Sequence, residues 1–142
     1  MNVNIMLNNT INSGDELYWL VLTVLMTALF WVPYIINRII ENGLITALRT
    51  PKPDSPPKAQ WANRMMRAHE NAVENLVLFA PLVLAVHMLG QSSATTLLAC
   101  QVYFFARLSH YVVYSAGIPY LRTVAFFIGA VAQFGLAIEL LV

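Results

Sequence analysis

The residues that could do chemistry lie on two helix-spaced stripes within apolar parts of the chain. On the first stripe, Arg67, Asn71 and Glu74 are spaced i, i+4 and i+7, which places them on one face of a helix. Charged residues are rare inside membrane spans, where they usually face the bundle interior or a water-filled cavity. This stripe therefore predicts one wall of a charged pocket.

A second stripe lies further along the chain and repeats the pattern. Arg107, His110 and Tyr114 are spaced i, i+3 and i+7 on another predicted helix. Two such stripes facing each other would enclose a charged pocket. Arg122, at the start of the last predicted helix, and Arg38, at the end of the first, could complete it.

A purely structural role explains part of the same pattern. Basic residues near helix ends often reach the lipid headgroups, which fits Arg38, Arg64 and Arg67. Glu74 could be a structural partner for Arg67 and Arg107. Against this, Arg107 lies several residues inside its span, and a structural ion pair does not require His110 as well. Spacing alone leaves both interpretations open.

The composition defines the class of protein that must position these residues. The chain has 142 residues, of which 58% are hydrophobic and 11% charged, and its mean hydropathy is +0.63. Soluble domains are about one-quarter charged, so this composition excludes a soluble globule and a disordered chain. The net charge of +1 gives no reason to expect a nucleic-acid surface. The single cysteine excludes an internal disulfide and a cysteine-rich zinc site, and we expect no metal.

The apolar residues form four blocks, and a helix needs roughly 20 residues to cross the hydrocarbon of a bilayer. Backbone groups must be paired inside lipid, so each block should be helical. The sequence therefore predicts an all-α integral membrane four-helix bundle with four spans, formed by a single domain over residues 1–142. The predicted helices cover about 16–40, 61–89, 94–115 and 121–141, with a polar, Pro-rich loop at about 42–60.

The basic residues predict the orientation. Six of the eight lie within residues 38–67, and the other two, Arg107 and Arg122, flank the third connection. By the positive-inside rule, both termini should face away from the cytoplasm. Residues 1–16 contain no lysine or arginine, so we expect the first block to stay as a mature helix and not to be a signal peptide.

Both stripes lie in motifs of a known family. Residues 67–75, which read RAHENAVEN, resemble the R-A-H-x-N-x-x-E signature of the MAPEG family, the membrane-associated proteins in eicosanoid and glutathione metabolism. Residues 107–114, followed by Arg122, resemble the third helix of that family and the start of its fourth. The resemblance covers nearly the whole chain.

The resemblance implies a homotrimer of four-helix bundles that binds glutathione between neighbouring subunits at the cytoplasmic side. It assigns the catalytic position beside the glutathione sulfur to Arg122 and a terminal carboxylate of glutathione to Arg38. The remaining glutathione-binding positions are Arg67, Asn71, Glu74, Arg107, His110 and Tyr114. Arginine suits carboxylates because it donates two parallel hydrogen bonds, and Glu74 suits an ammonium or an amide N–H.

The activity implied is that of a glutathione transferase or peroxidase. A cation such as Arg122 would stabilise the thiolate, which attacks a lipophilic electrophile or hydroperoxide that enters from the membrane lipids. His110 places the chain closest to the branch of microsomal glutathione transferases and prostaglandin E synthases, although Phe126 stands where some members have tyrosine. The short loops fit a bacterial member in the inner membrane.

Two other functions remain as alternatives. A MAPEG protein can bind a lipid or act as a scaffold without catalysis, although the retained polar residues count against that. A small transporter or channel subunit would need polar residues through the midplane, and the distal halves of the four blocks have almost none.

Overall fold

The computed structural model describes residues 15–49 and 56–142, and within these ranges the chain is helical and has no strand. This confirms the all-α membrane bundle. The described helices, in chain order, are α1 (Glu16–Leu29), α2 (Val32–Asn42), α3 (Leu44–Leu48), α4 (Gln60–Met88), α5 (Ala94–Ala116) and α6 (Pro119–Leu141).

The first predicted helix is interrupted at Phe30 and Trp31, which separate α1 from α2. Pro33 stands at the start of α2, where its missing N–H and its ring prevent α1 from continuing through it. The Tyr111 hydroxyl of α5 donates a hydrogen bond of 2.8 Å to the Phe30 carbonyl oxygen. The two rings also stack with centroids 3.7 Å apart. The interruption is therefore fixed against α5.

Three segments among the described residues are long and apolar enough to cross a membrane: Glu16–Asn42, Gln60–Met88 and Pro119–Leu141. Their length and composition fit the integral membrane protein that the sequence predicts. α5 has 23 residues but is not one of these segments. Polar residues such as Gln101, Arg107 and His110 lower its hydropathy. It packs against α1, α4 and α6. A helix that is surrounded by other helices can contain polar residues inside a membrane. That α5 crosses the membrane stays a prediction.

The core has two parts. In the larger, the rings of Phe79 and Tyr103 stack with centroids 3.7 Å apart, and Leu20 and Leu136 pack in the same cluster. The smaller lies beside the interruption in the first helix, where buried Ala68 and Ala72 of α4 pack with the Phe30 and Tyr111 rings. Small residues at such positions let helices approach closely, which brings α4 against the rest of the bundle.

The first connection differs from the predicted loop. Residues 44–48 form the short helix α3, and residues 50–55 lie outside the described ranges. Gly43, with φ +77°, ends α2 in a backbone conformation that favours glycine. The Glu41 carboxylate accepts hydrogen bonds from the backbone N–H groups of Lys58 and Ala59 at 3.0 and 2.9 Å. It therefore ties the end of α2 to the start of α4.

At the opposite end of the bundle, polar groups are paired within the chain. The Ser93 hydroxyl caps α5 by accepting from the Thr96 N–H at 3.1 Å, and the Ser93 N–H donates to the Thr96 hydroxyl oxygen at 2.8 Å. The Thr96 hydroxyl donates to the carboxylate of Glu16, which is only 5% exposed. This capping box therefore also anchors the start of α1.

Candidate functional site

A polar cavity of about 420 Å³ lies where the start of α4, the end of α5 and the start of α6 meet. Six of the eight residues predicted for the site line it. The lining residues are Arg67, Glu70, Asn71, Glu74, His110, Tyr114, Arg122, Thr123 and Phe126. The structure therefore brings together most of the residues on the two stripes.

The α4 wall carries charges of both signs. Arg67, Glu70 and Glu74 are exposed, and none of them forms a hydrogen bond or an ion pair with another described residue. Glu70 was not among the predicted site residues. It lies three residues after Arg67 and four before Glu74, so the same helical spacing that selected those residues should have included it. The cavity therefore has two unpaired carboxylates where one was expected.

The α5 and α6 walls place a cation beside aromatic rings. The guanidinium carbon of the half-buried Arg122 lies 4.9 Å from the centroid of the Tyr114 ring. Tyr114 also contacts the ring of buried His110, with centroids 5.5 Å apart. A cation–π contact holds the guanidinium without a hydrogen-bonded counterion, so its N–H groups can face an anion in the cavity.

Arg107 does not line the cavity but lies beneath it, with 2% of its surface exposed. It donates to the Asn71 side-chain oxygen at 3.4 Å and to the Phe126 carbonyl oxygen at 3.3 Å. Its Nε atom has no hydrogen-bond partner among the described residues. Its direct contact with a ligand stays a prediction, whereas its contact with Asn71 gives it a positioning role.

Gly129 of α6 leaves the space that Arg107 occupies. A Cβ atom at this position would lie 2.6 Å from Arg107 Nη2, closer than such atoms pack. Replacing the glycine would therefore displace a buried guanidinium. The sequence shows Gly129 as a glycine inside an otherwise apolar helix. Its role as the space for Arg107 becomes visible only once it is known that α5 packs against this part of α6.

Other polar residues near the stripes have structural partners instead. Arg38 lies half-buried on α2 and does not line the cavity of this chain. Arg64 donates from Nε to the Ser115 carbonyl oxygen at 2.9 Å, which caps the end of α5. His69, within the first motif, is hydrogen-bonded through Nδ1 to the Tyr34 hydroxyl at 2.8 Å. Arg64 and His69 therefore each have a hydrogen-bond partner on another helix.

A second cavity, almost entirely apolar, runs between α5 and α6. Its volume is about 540 Å³, and its lining includes Leu98, Val102, Phe127, Ile128 and Val131. Apolar grooves of this kind suit hydrocarbon chains. The start of α6 therefore separates a polar cavity from an apolar one.

Comparison with known families matches residues 17–142 to one family model, described as the MAPEG family. A search of curated proteins finds none that matches the chain. The family match covers all of the described helices except the first residue of α1.

Proposed function

Because the chain belongs to the MAPEG family, we propose that it is a membrane-bound glutathione-dependent transferase or peroxidase. The observation that carries the proposal is the polar cavity, whose lining charges of both signs form no side-chain hydrogen bond or ion pair with another described residue. Glutathione has two carboxylates and one ammonium, so it offers partners for both kinds of charge. In the proposal, Arg67 binds a carboxylate and Glu74 binds the ammonium or an amide N–H.

Asn71 would bind the peptide backbone of glutathione. Its side-chain oxygen accepts from Arg107, which fixes the orientation of the amide and leaves the NH₂ group to donate to a ligand carbonyl. His110 and Tyr114 would bind the remaining polar atoms from the α5 wall. Arg38 would reach a terminal carboxylate from a neighbouring copy of the chain, because it does not line the cavity of its own chain.

Arg122 would act on the sulfur. The thiol releases its proton to solvent, and the guanidinium stabilises the thiolate that forms. The thiolate attacks an electrophilic carbon, so that a C–S bond forms and a leaving group departs with its electron pair. With a hydroperoxide, the thiolate attacks the terminal oxygen and the O–O bond breaks, giving a sulfenic acid and an alkoxide, which takes a proton from solvent to become an alcohol. A second thiol reduces the sulfenic acid to a disulfide and water.

The proposal extends to the setting of the enzyme. It comprises a homotrimer with four spans per chain and both termini away from the cytoplasm, as the basic residues near the first connection favour. It also places the chain in the branch of microsomal glutathione transferases and prostaglandin E synthases, in a bacterial inner membrane. The lipophilic substrate would come from the bilayer and the thiol from the cytoplasm.

The test is an ultraviolet difference spectrum of the detergent-solubilised protein titrated with glutathione, at about 240 nm, where a thiolate absorbs. We expect a band in the parent protein that is lost in Arg122→Ala. Arg49→Ala is the matched control, because Arg49 is an exposed arginine outside the cavity and its variant should keep the band. A parent protein that binds glutathione without any thiolate band would exclude the role given to Arg122.

A second candidate function is non-catalytic binding of a lipid, or a scaffold role. The apolar cavity between α5 and α6 favours it, because a hydrocarbon chain fits there without any contribution from the polar cavity. Under this alternative the titration gives no glutathione binding and no band. The apolar cavity would then be the site to probe, with a fluorescent fatty acid and a Val102→Trp variant.

A further inference from the structure

Glu70 and Glu74 form an unusual pair in the polar cavity. They are spaced i, i+4 on α4, so their carboxylates lie on the same side of the helix one turn apart. Like charges at this spacing destabilise a helix, and neither carboxylate is bonded to a cation within the described ranges 15–49 and 56–142. A ligand with N–H donors for both carboxylates would relieve this repulsion.

The charges of glutathione match only part of this arrangement. The lining has two arginines and two glutamates, whereas Arg107 lies beneath it and donates to Asn71 and to the Phe126 carbonyl oxygen. Bound glutathione, as the thiolate, has three negative groups and one ammonium. In the proposed function, Arg67 and Arg38 of a neighbouring copy bind the two carboxylates, Arg122 stabilises the thiolate, and Glu74 binds the ammonium. Glu70 then has no partner on glutathione and repels its carboxylates.

We propose that Glu70 makes the polar cavity selective for a peptide thiol in which an amide or amine replaces one carboxylate of glutathione. This inference rests on the proposed function, because it concerns the thiol bound at the same site. An amide or amine in place of a carboxylate removes the repulsion and supplies N–H donors for the Glu70 oxygens. The cavity then binds a peptide thiol with one carboxylate more tightly than one with two.

The position of Glu70 makes this selectivity direct. The residue lies between Arg67 and Glu74 on the face that lines the cavity, so a bound thiol would pass its carboxylate. Its side chain is exposed and supports no neighbouring helix through a hydrogen bond. Its charge can therefore be removed without loss of a structural contact.

The experiment compares glutathione with glutathione amidated at its glycine carboxylate. Dissociation constants are measured by isothermal titration calorimetry in detergent for the parent protein, Glu70→Gln and Glu139→Gln. Glu139 is the matched control, an exposed glutamate roughly 25 Å along α6 from Arg122 by helical rise. Thermal unfolding of each variant verifies that it is folded.

We expect the parent protein and Glu139→Gln to bind the amide at least about fivefold more tightly than glutathione. In Glu70→Gln the two thiols should bind within about twofold of each other, mainly because glutathione binds more tightly. Equal preference in the parent protein and Glu70→Gln, or a parent preference for glutathione, would overturn the inference while leaving the proposed function intact. Binding of neither thiol to any of the three proteins would overturn both.

Discussion

The two ends of the bundle differ in whether their charged side chains have partners within the chain. At one end, the Glu16 carboxylate is buried and accepts from Thr96, which also pairs with Ser93 in a capping box. At the other end, Arg67 and Glu74 line a cavity and form no hydrogen bond or ion pair with the described residues. Glu41 and Arg64 at the cavity end also have hydrogen-bond partners in the chain, so the contrast concerns the charges that line the cavity.

This difference separates residues that hold the fold from residues available to a ligand. A buried polar group that loses its partner costs free energy, so the Glu16 end should respond to substitution through stability. Exposed charges without partners contribute little to stability, so substitution of the charges that line the cavity should affect binding and turnover instead. Four substitutions test this separation.

The largest effect is expected for Arg122→Ala. Turnover with a lipophilic electrophile should fall by about 100-fold, because a cation that stabilises developing negative charge contributes a factor of this order. Glutathione affinity should change by much less, since the interaction strengthens as the thiolate forms. Steady-state kinetics and calorimetry measure the two quantities separately. Equal losses in turnover and affinity would mean that Arg122 binds the ground state and does not serve the thiolate.

Glu16→Ala should instead reduce stability, by about 2 kcal/mol, because it removes a buried acceptor and leaves a void at the start of α1. Unfolding by sodium dodecyl sulfate, followed by circular dichroism, measures this free energy. Glu139→Ala is the control, since Glu139 is exposed and its removal should be nearly neutral. A variant with parental stability but weakened glutathione binding would reverse the comparison between the two ends.

Glu74→Gln should weaken glutathione binding by about tenfold, which corresponds to roughly 1.4 kcal/mol and reflects the loss of an ion pair with the ammonium. Its unfolding free energy should remain that of the parent protein. Calorimetric titration with glutathione provides the measurement. Unchanged affinity would show that Glu74 does not bind the ligand. Of the proposed ligand-binding residues on α4, only Arg67 and Asn71 would then remain.

The smallest effect is expected for Ser93→Ala, which removes the side-chain cap of α5 and should cost about 1 kcal/mol of stability. Ser109→Ala is the matched control, because Ser109 is an exposed serine within the same helix. The same denaturation assay distinguishes the two variants. If the two variants have the same unfolding free energy, the capping box contributes nothing measurable to stability. The stability of the Glu16 end would then come from Glu16 alone.

The sequence was sufficient to predict the helical membrane bundle and most of the cavity lining. Helical spacing selected Arg67, Asn71 and Glu74 together because residues on one face stay together whatever the tertiary structure. Glu70 was overlooked although the same rule includes it. The alternation of apolar blocks and polar connections was equally local information, and it gave the helical class directly.

The remaining features depend on which helices meet. Arg107 shares the stripe of His110, yet it lies beneath the cavity because Gly129 of α6 leaves room there and the Phe126 carbonyl accepts its hydrogen bond. Spacing along α5 cannot reveal a gap in α6. The interruption at Phe30 likewise has a local and a distant cause. Pro33 prevents α1 from continuing, and the Tyr111 hydroxyl, from a distant part of the chain, donates to the Phe30 carbonyl oxygen.

The Glu41 carboxylate holds the two ends of the first connection together. By binding the N–H groups of Lys58 and Ala59, it joins the end of α2 to the start of α4 across the intervening residues. Doubling the length of a flexible loop costs only about 0.6 kcal/mol of closure entropy. We therefore expect that an epitope or a fluorescent domain inserted next to Arg49 leaves the cavity unchanged. The first connection is thus a suitable insertion site for a reporter.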